Sequence, residues 1–201
     1  MPDFRCAAVV LAAGASSRLG QPKQLIQIDG ESLLHKTARL ALEAGCSPVF
    51  IVLGFEATRM RPYLSGLPVE IVLNDDWREG MGSSLRSGIE AVRKSTPLPN
   101  AVLLLVCDQP HLTAGHLRDL LAFHTASPAG RETGITASVY AHTAGVPAIF
   151  PARLFSTLTA IQGDRGARDV LRAHTTDVQA IPWPGGQFDL DRPEDLIAIE
   201  R

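Results

Sequence analysis

The chain has 201 residues, 45% hydrophobic and 20% charged, which is enough for one well-buried α/β core and too little for two large domains. A net charge of −2 with no basic run longer than two residues lacks the footprint of a general nucleic-acid binder. The longest uncharged apolar run, 101–107, is too short to cross a bilayer, and the N-terminus has no charged start followed by a long apolar stretch. The expectation is a single domain over residues 1–201, cytoplasmic, with neither nucleic acid nor membrane as partner. Cys6, Cys46 and Cys107 are odd in number, lie in or beside apolar segments and show no C-x-x-C spacing, so they read as buried reduced thiols.

In chain order, residues 7–11 form an apolar run that reads as a buried strand, and 12–23 read as the loop leaving its carboxyl end. In an open parallel sheet that end is where ligands bind. Gly14, Ala15, Ser16 and Ser17 can present successive backbone N–H groups, Arg18 a guanidinium fork and Lys23 a point charge, a set that suits a triphosphate. The loop is neither a Walker A motif nor a G-x-G-x-x-G turn.

Residues 30–45 carry Leu33, Leu34, Thr37, Leu40 and Ala41 at helical spacing, with Gly45 placed to end the helix. Residues 49–53 give a second buried strand, so the unit is β-α-β and parallel, and 57–64 a short helix interrupted by Pro62. A third strand, 69–73, runs into a polar loop starting at Asn74, and a helix is expected over 84–94. Met81, Gly82, Ser83 and Ser84 would sit at its N-terminus, either holding an anion or a ribose hydroxyl, or with Ser83 as an ordinary helix cap.

Residues 101–107 are the most apolar segment and the expected central strand. Asp108 ends it, where a metal on a triphosphate would compensate its charge. Thr113 is placed to cap the helix expected over 113–125. After residue 130 two strands in near succession, 135–141 and 145–150, predict a small antiparallel excursion bearing an acceptor site, and a helix begins at Pro151. Residues 163–168 form a charged turn that either grips an anionic substrate or is simply solvated. A strand over 177–181, an alternating stretch 188–191 with Asp189 and Asp191 on one face, and a closing helix over 193–199 complete the chain. The fold class is α/β: a Rossmann-like, mostly parallel sheet with helices on both faces.

Leu11 to Lys23 fills every fixed position of L-A-A-G-x-S-x-R-[ML]-G-x-x-K, and the whole chain resembles the molybdenum-cofactor cytidylyltransferase branch of the nucleotidyltransferases. The resemblance implies transfer of CMP from CTP to molybdopterin cofactor with loss of pyrophosphate and Mg²⁺ in the site. Guanylyl-transferring cousins carry Leu-Ala-Gly-Gly where this chain has Leu11, Ala12, Ala13 and Gly14, a spelling associated with CTP. It further implies that Leu11, Ala12, Ala13 and Gly14 contact base and sugar, that Arg18 and Lys23 hold the triphosphate, and that Ser16, Asn74, Gly82 and Ser84 complete the nucleotide site. Asp108 and Asp191 would bind the metal, with Asp189 in reserve, and Gln109, Pro110, Gly145, Pro147, Asp164 and Arg168 the phosphorylated acceptor. A molybdenum enzyme or its maturation factor would be a transient partner. A sugar- or polyol-phosphate nucleotidyltransferase, a GTP-using relative and a non-catalytic nucleotide-binding module are the alternatives.

Overall fold

The computed structural model describes residues 4–126, 134–190, 192, 194 and 195. Among them nine strands form a seven-stranded sheet and a two-stranded one. The large sheet contains β1 (Cys6–Leu11), β4 (Val49–Leu53), β5 (Glu70–Leu73), β6 (Ala101–Val106), β7 (Ile135–Tyr140), β8 (Thr143–Pro151) and β9 (Val178–Pro182), in the order β5-β4-β1-β6-β8-β7-β9. Only β8 runs against the rest, inserted between β6 and β7 and antiparallel to both. The expected excursion is therefore a hairpin built into the main sheet, with β6 central as its uninterrupted apolar run implies.

Alternation along the strands distributes the core to both faces. Ala8 and Val10 of β1 with Leu103 and Leu105 of β6 face α1 (Leu33–Glu43), α2 (Ala57–Met60) and α4 (Ala114–Ala126). Ala7 and Val9 with Val102 and Leu104 face α3 (Met81–Arg93), α5 (Phe155–Thr159) and α6 (Ala167–Ala173). Gly88 lets α3 come close to the sheet, since a Cβ there would lie 2.5 Å from a Val9 methyl. No helix among the described residues is long and apolar enough to cross a membrane.

Several local expectations change. A small hairpin, β2 (Gln27–Ile28) with β3 (Glu31–Ser32), precedes α1, turning on Asp29 and Gly30, both at positive φ. Ser32 then caps α1 by accepting from the His35 N–H. Around Pro62 the chain tightens from α2 into a 3-10 turn, Arg61–Leu64. Helix α3 starts at Met81, three residues earlier than expected, so Ser83 is not its cap; its hydroxyl donates to the Gly80 carbonyl from inside the first turn. Residues 188–190 are irregular instead of a strand, because a 3-10 turn, Pro184–Gln187, leads into them and the Leu190 N–H donates to the Asp108 carbonyl. The closing helix over 193–199 lies largely outside the described residues, which include only Glu194 and Asp195 of it.

Two histidines of α4 are buried against the hairpin: His116 Nε2 lies 2.7 Å from the Ser138 hydroxyl and His124 Nδ1 lies 3.0 Å from that of Thr136. Burial lowers both pKa values, that of His124 to about 4. The native protein keeps His124 neutral while the unfolded chain takes up a proton near pH 6.5, so stability is fully present above that pH and is lost as pH falls towards 4. Unfolding free energy should drop by about 2 kcal/mol between pH 7 and 5 on account of His124. Denaturant unfolding at both pH values checks this: His124→Asn, which cannot titrate, should be less stable at pH 7 yet lose distinctly less on acidification.

Candidate functional site

Strands β1 and β6 lie side by side with Leu11 opposite Val106, and the strand order reverses at this pair. Outside the carboxyl ends of such a pair an open α/β sheet forms its ligand crevice. The loop after β1 is seated by two backbone bonds, Ala12 N–H to the Val52 carbonyl and Phe55 N–H to the Ala13 carbonyl. Ser16 takes a positive φ of 52°, Leu19 buries its side chain, and the Lys23 N–H closes the loop on the Ser16 hydroxyl at 3.2 Å. That closure brings the Lys23 ammonium onto Asp108 Oδ2, an ion pair in which the side chains are 21% and 18% exposed.

The opposite wall comes from the loop after β5 and the start of α3. Asn74 is buried and donates to the hydroxyls of Ser83 and Ser84 at 2.9 and 3.0 Å, so it braces the first turn of α3. Trp77 stands edge-on to Phe55 with ring centres 5.4 Å apart, and the Arg78 guanidinium lies 4.4 Å above the Trp77 ring. Gly80 and Gly82 permit the loop around residue 163 to close on this wall: the Gly82 N–H donates to the Gly163 carbonyl, and a Cβ on Gly80 would meet Gly163 and Asp164 at about 2.5 Å.

Two cavities result. The first, about 660 Å³, is lined by Leu11, Ala12, Ala13, Gly14, Arg18, Lys23 and Ser84 from the sequence-derived set, together with Gln24, Trp77, Arg78 and Met81. The second, about 380 Å³, has an apolar floor of Leu104, Val106, Val146 and Ala167 and a polar rim of Gln109, Tyr140, Arg165, Arg168, Asp169 and Asp189. Leu11, Met81, Val106, Asp108 and Asp164 belong to both. Ser16, Asn74 and Gly82 stand behind the first wall instead of lining it.

Pro110, Gly145 and Pro147, read from the sequence as acceptor contacts, are likewise not among the residues that line the second cavity. All three are buried; Pro110 offers its carbonyl to Lys36 Nζ at 2.7 Å, and a Cβ at Gly145 would fall 2.2 Å from the Tyr140 hydroxyl. They hold the wall on which Gln109 and Val146 are displayed. Sequence reasoning missed Gln24, Trp77, Arg78, Tyr140 and Asp169 as lining residues, although the Trp-Arg pair inside a polar loop was a visible signal.

The electrostatics of the walls favour an uncharged thiol and phenol beside the charged groups. Burial pushes the Cys107 thiol well above its ordinary range despite its place in the first cavity wall, so it stays protonated at neutral pH. Burial also raises the Tyr140 hydroxyl, opposed by a hydrogen bond from Arg168 and reinforced by Asp189. Asp108 Oδ1 is buried without a hydrogen-bond partner, and Asp189 lines the same cavity as Asp108. Two hard carboxylates, one with an unmatched oxygen, are the donor chemistry that a divalent cation on a polyphosphate takes. Asp191 lies outside the described residues, and among those described no three His, Cys, Asp or Glu side chains converge on a metal position.

A β-α-β half-sheet with a glycine and cation loop at its reversal point, facing an acidic strand end, defines an α/β nucleotidyltransferase. The MobA-like NTP transferase domain model matches residues 8–178, and the chain belongs to that family. It is 30% identical to a probable molybdenum cofactor guanylyltransferase of Nostoc sp. strain PCC 7120, over 96% of this chain and 89% of that protein. It is 34% identical to nicotine blue oxidoreductase of Paenarthrobacter nicotinovorans, over 99% and 96%. Rv0371c of Mycobacterium tuberculosis superposes with a TM-score of 0.84 at 28% identity over 99% of this chain and 98% of that one. Its manganese complex gives 0.77 at 26% over 98% of each.

The Lys23 and Asp108 pair can be tested directly. Lys23→Ala should lower turnover at least tenfold, about 1.4 kcal/mol of barrier, through loss of charge stabilisation on the leaving group. Asp108→Asn keeps the volume and should remove most activity. Pyrophosphate release measures both, with circular dichroism verifying that each variant is folded; near-wild-type turnover of either would remove that residue from the chemistry.

Proposed function

We propose that this protein transfers CMP from CTP to the terminal phosphate of molybdopterin cofactor in a Mg²⁺-dependent reaction. The observation that carries the reading is the common wall: a cavity rimmed by the cationic loop and a cavity rimmed by Arg165 and Arg168 meet at Asp108. An acceptor phosphate in the second cavity would attack the α-phosphorus of a triphosphate in the first. One P–O bond forms, the bond from the α-phosphorus to its bridging oxygen breaks, and pyrophosphate leaves.

In this reaction Arg18 and Lys23 bind the β- and γ-phosphates, and holding the reactants in line is the main contribution of the chain. Asp108, with Asp189 or Asp191, would hold Mg²⁺, which neutralises triphosphate charge when bound. The manganese complex of Rv0371c and the guanylyltransferase of Nostoc support a divalent cation and a molybdenum-cofactor acceptor. The choice of CTP over GTP rests on the loop spelling: Ala13, which lines the first cavity, stands where guanylyl-transferring relatives carry glycine. A molybdenum enzyme or its maturation factor would then receive the product.

Incubating the protein with each of the four ribonucleoside triphosphates, Mg²⁺ and molybdopterin cofactor should release pyrophosphate fastest with CTP. Turnover only with a sugar phosphate or polyol phosphate would move the acceptor assignment, and binding without turnover on any acceptor would mark a nucleotide-binding module. The relative from P. nicotinovorans, an oxidoreductase by name, adds a redox reading, which turnover of nicotine blue in place of pyrophosphate release would favour. Ala13→Gly should shift the CTP-to-GTP ratio of kcat/KM by an amount worth about 1–3 kcal/mol, the range available to one methyl. An unchanged ratio would place base selection in the loop that carries Trp77.

A further inference from the structure

Gln24 follows Lys23 directly, yet its side chain turns inward and is 1% exposed. Its Nε2 donates to the Ala12 carbonyl at 2.9 Å and to the Gly14 carbonyl at 2.8 Å. Two carbonyl acceptors on one amide nitrogen fix which end of the amide faces the loop, since an oxygen there would be repelled by both. The remaining oxygen, Oε1, is buried with no hydrogen-bond partner. A side chain that served only to fill this space could be apolar and would leave no acceptor unmatched.

We infer that Gln24 is a positioning residue for the nucleotide loop, a role that rests on the nucleotide site proposed above. In a trans peptide the C=O and the following N–H point to opposite sides. Drawing the carbonyls of Ala12 and Gly14 onto Gln24 therefore directs the N–H groups of Ala13 and Ala15 away from it, and both of those residues line the first cavity. The same residue also keeps two carbonyl dipoles from turning towards a triphosphate, where they would oppose the charge that Arg18 and Lys23 attract. Because the amide is one peptide unit from Lys23, it ties the start of the loop to the residue that pairs with Asp108.

The test is calorimetric binding of each of the four ribonucleoside triphosphates with Mg²⁺ to the full chain, well below the unfolding temperature of every variant. Gln24→Met keeps length without donors, and Gln24→Glu keeps shape but presents oxygen to both carbonyls. Leu120→Ala, a fully buried change in α4, is the control for general destabilisation. Both Gln24 variants should bind the preferred nucleotide about tenfold more weakly or worse, while Leu120→Ala binds as the wild type does. A smaller loss in Gln24→Met, or an equal loss in Leu120→Ala, would overturn the inference. Wild-type protein that binds none of the four nucleotides would instead overturn the nucleotide site itself, a failure that shows before any variant is made.

Discussion

The ion pair between Lys23 and Asp108 is the contact on which the site depends. Asp108 emerges from a strand that is buried along nearly its whole length, and a carboxylate leaving such a strand needs a compensating charge close by. Lys23 supplies it from the far end of the loop after β1, so the loop cannot swing out without leaving the carboxylate unpaired. Under the proposed function a polyphosphate would offer the ammonium a second anionic partner, and a divalent cation would offer the carboxylate a second cationic one. The pair therefore holds both groups in register for ligands that would address each of them separately.

The sheet makes that meeting possible. Parallel pairing of β1 with β4 and β6 places the ends of all three strands at one edge, and the reversal of strand order between β1 and β6 opens a crevice at their carboxyl ends. On the other side of β6, the antiparallel β8 carries Val146 into the wall of the second cavity. Gly80, Gly82 and Gly166 then let the loops after β5 and before α6 approach within contact distance, Gly166 facing the Met81 sulfur.

Much of this was legible in the sequence because burial on both faces leaves a plain mark. Strand β4 and the central β6 read directly from uninterrupted apolar runs, and Gly45, at positive φ, follows the end of α1 as a glycine in that place should. The family pattern in the first loop identified the cavity wall from Leu11 to Gly14. Residues 188–190 misled because alternating Phe188, Asp189 and Leu190 imitate a strand, whereas a backbone bond to Asp108 sets their path. Gln109 illustrates the opposite limit: its amide, held by the Val146 carbonyl at 3.1 Å, depends on a contact 37 residues away. Gly145 and Pro147 were noticed as a motif, but a motif does not say whether its residues face a ligand or support a neighbour that does.

The shared wall at Asp108 has a consequence for what happens after bond formation. Under the proposed transfer the nucleotide and the acceptor enter as separate molecules, each held by its own cavity, but they leave as one molecule anchored at both ends. Tethering converts two modest grips into an avid one, because when either end lets go the other keeps it at high local concentration. Departure of the joined product would then be slower than departure of CMP or of the acceptor alone, and a protein that captured the exposed end of the product would hasten turnover by taking away one of the two anchors.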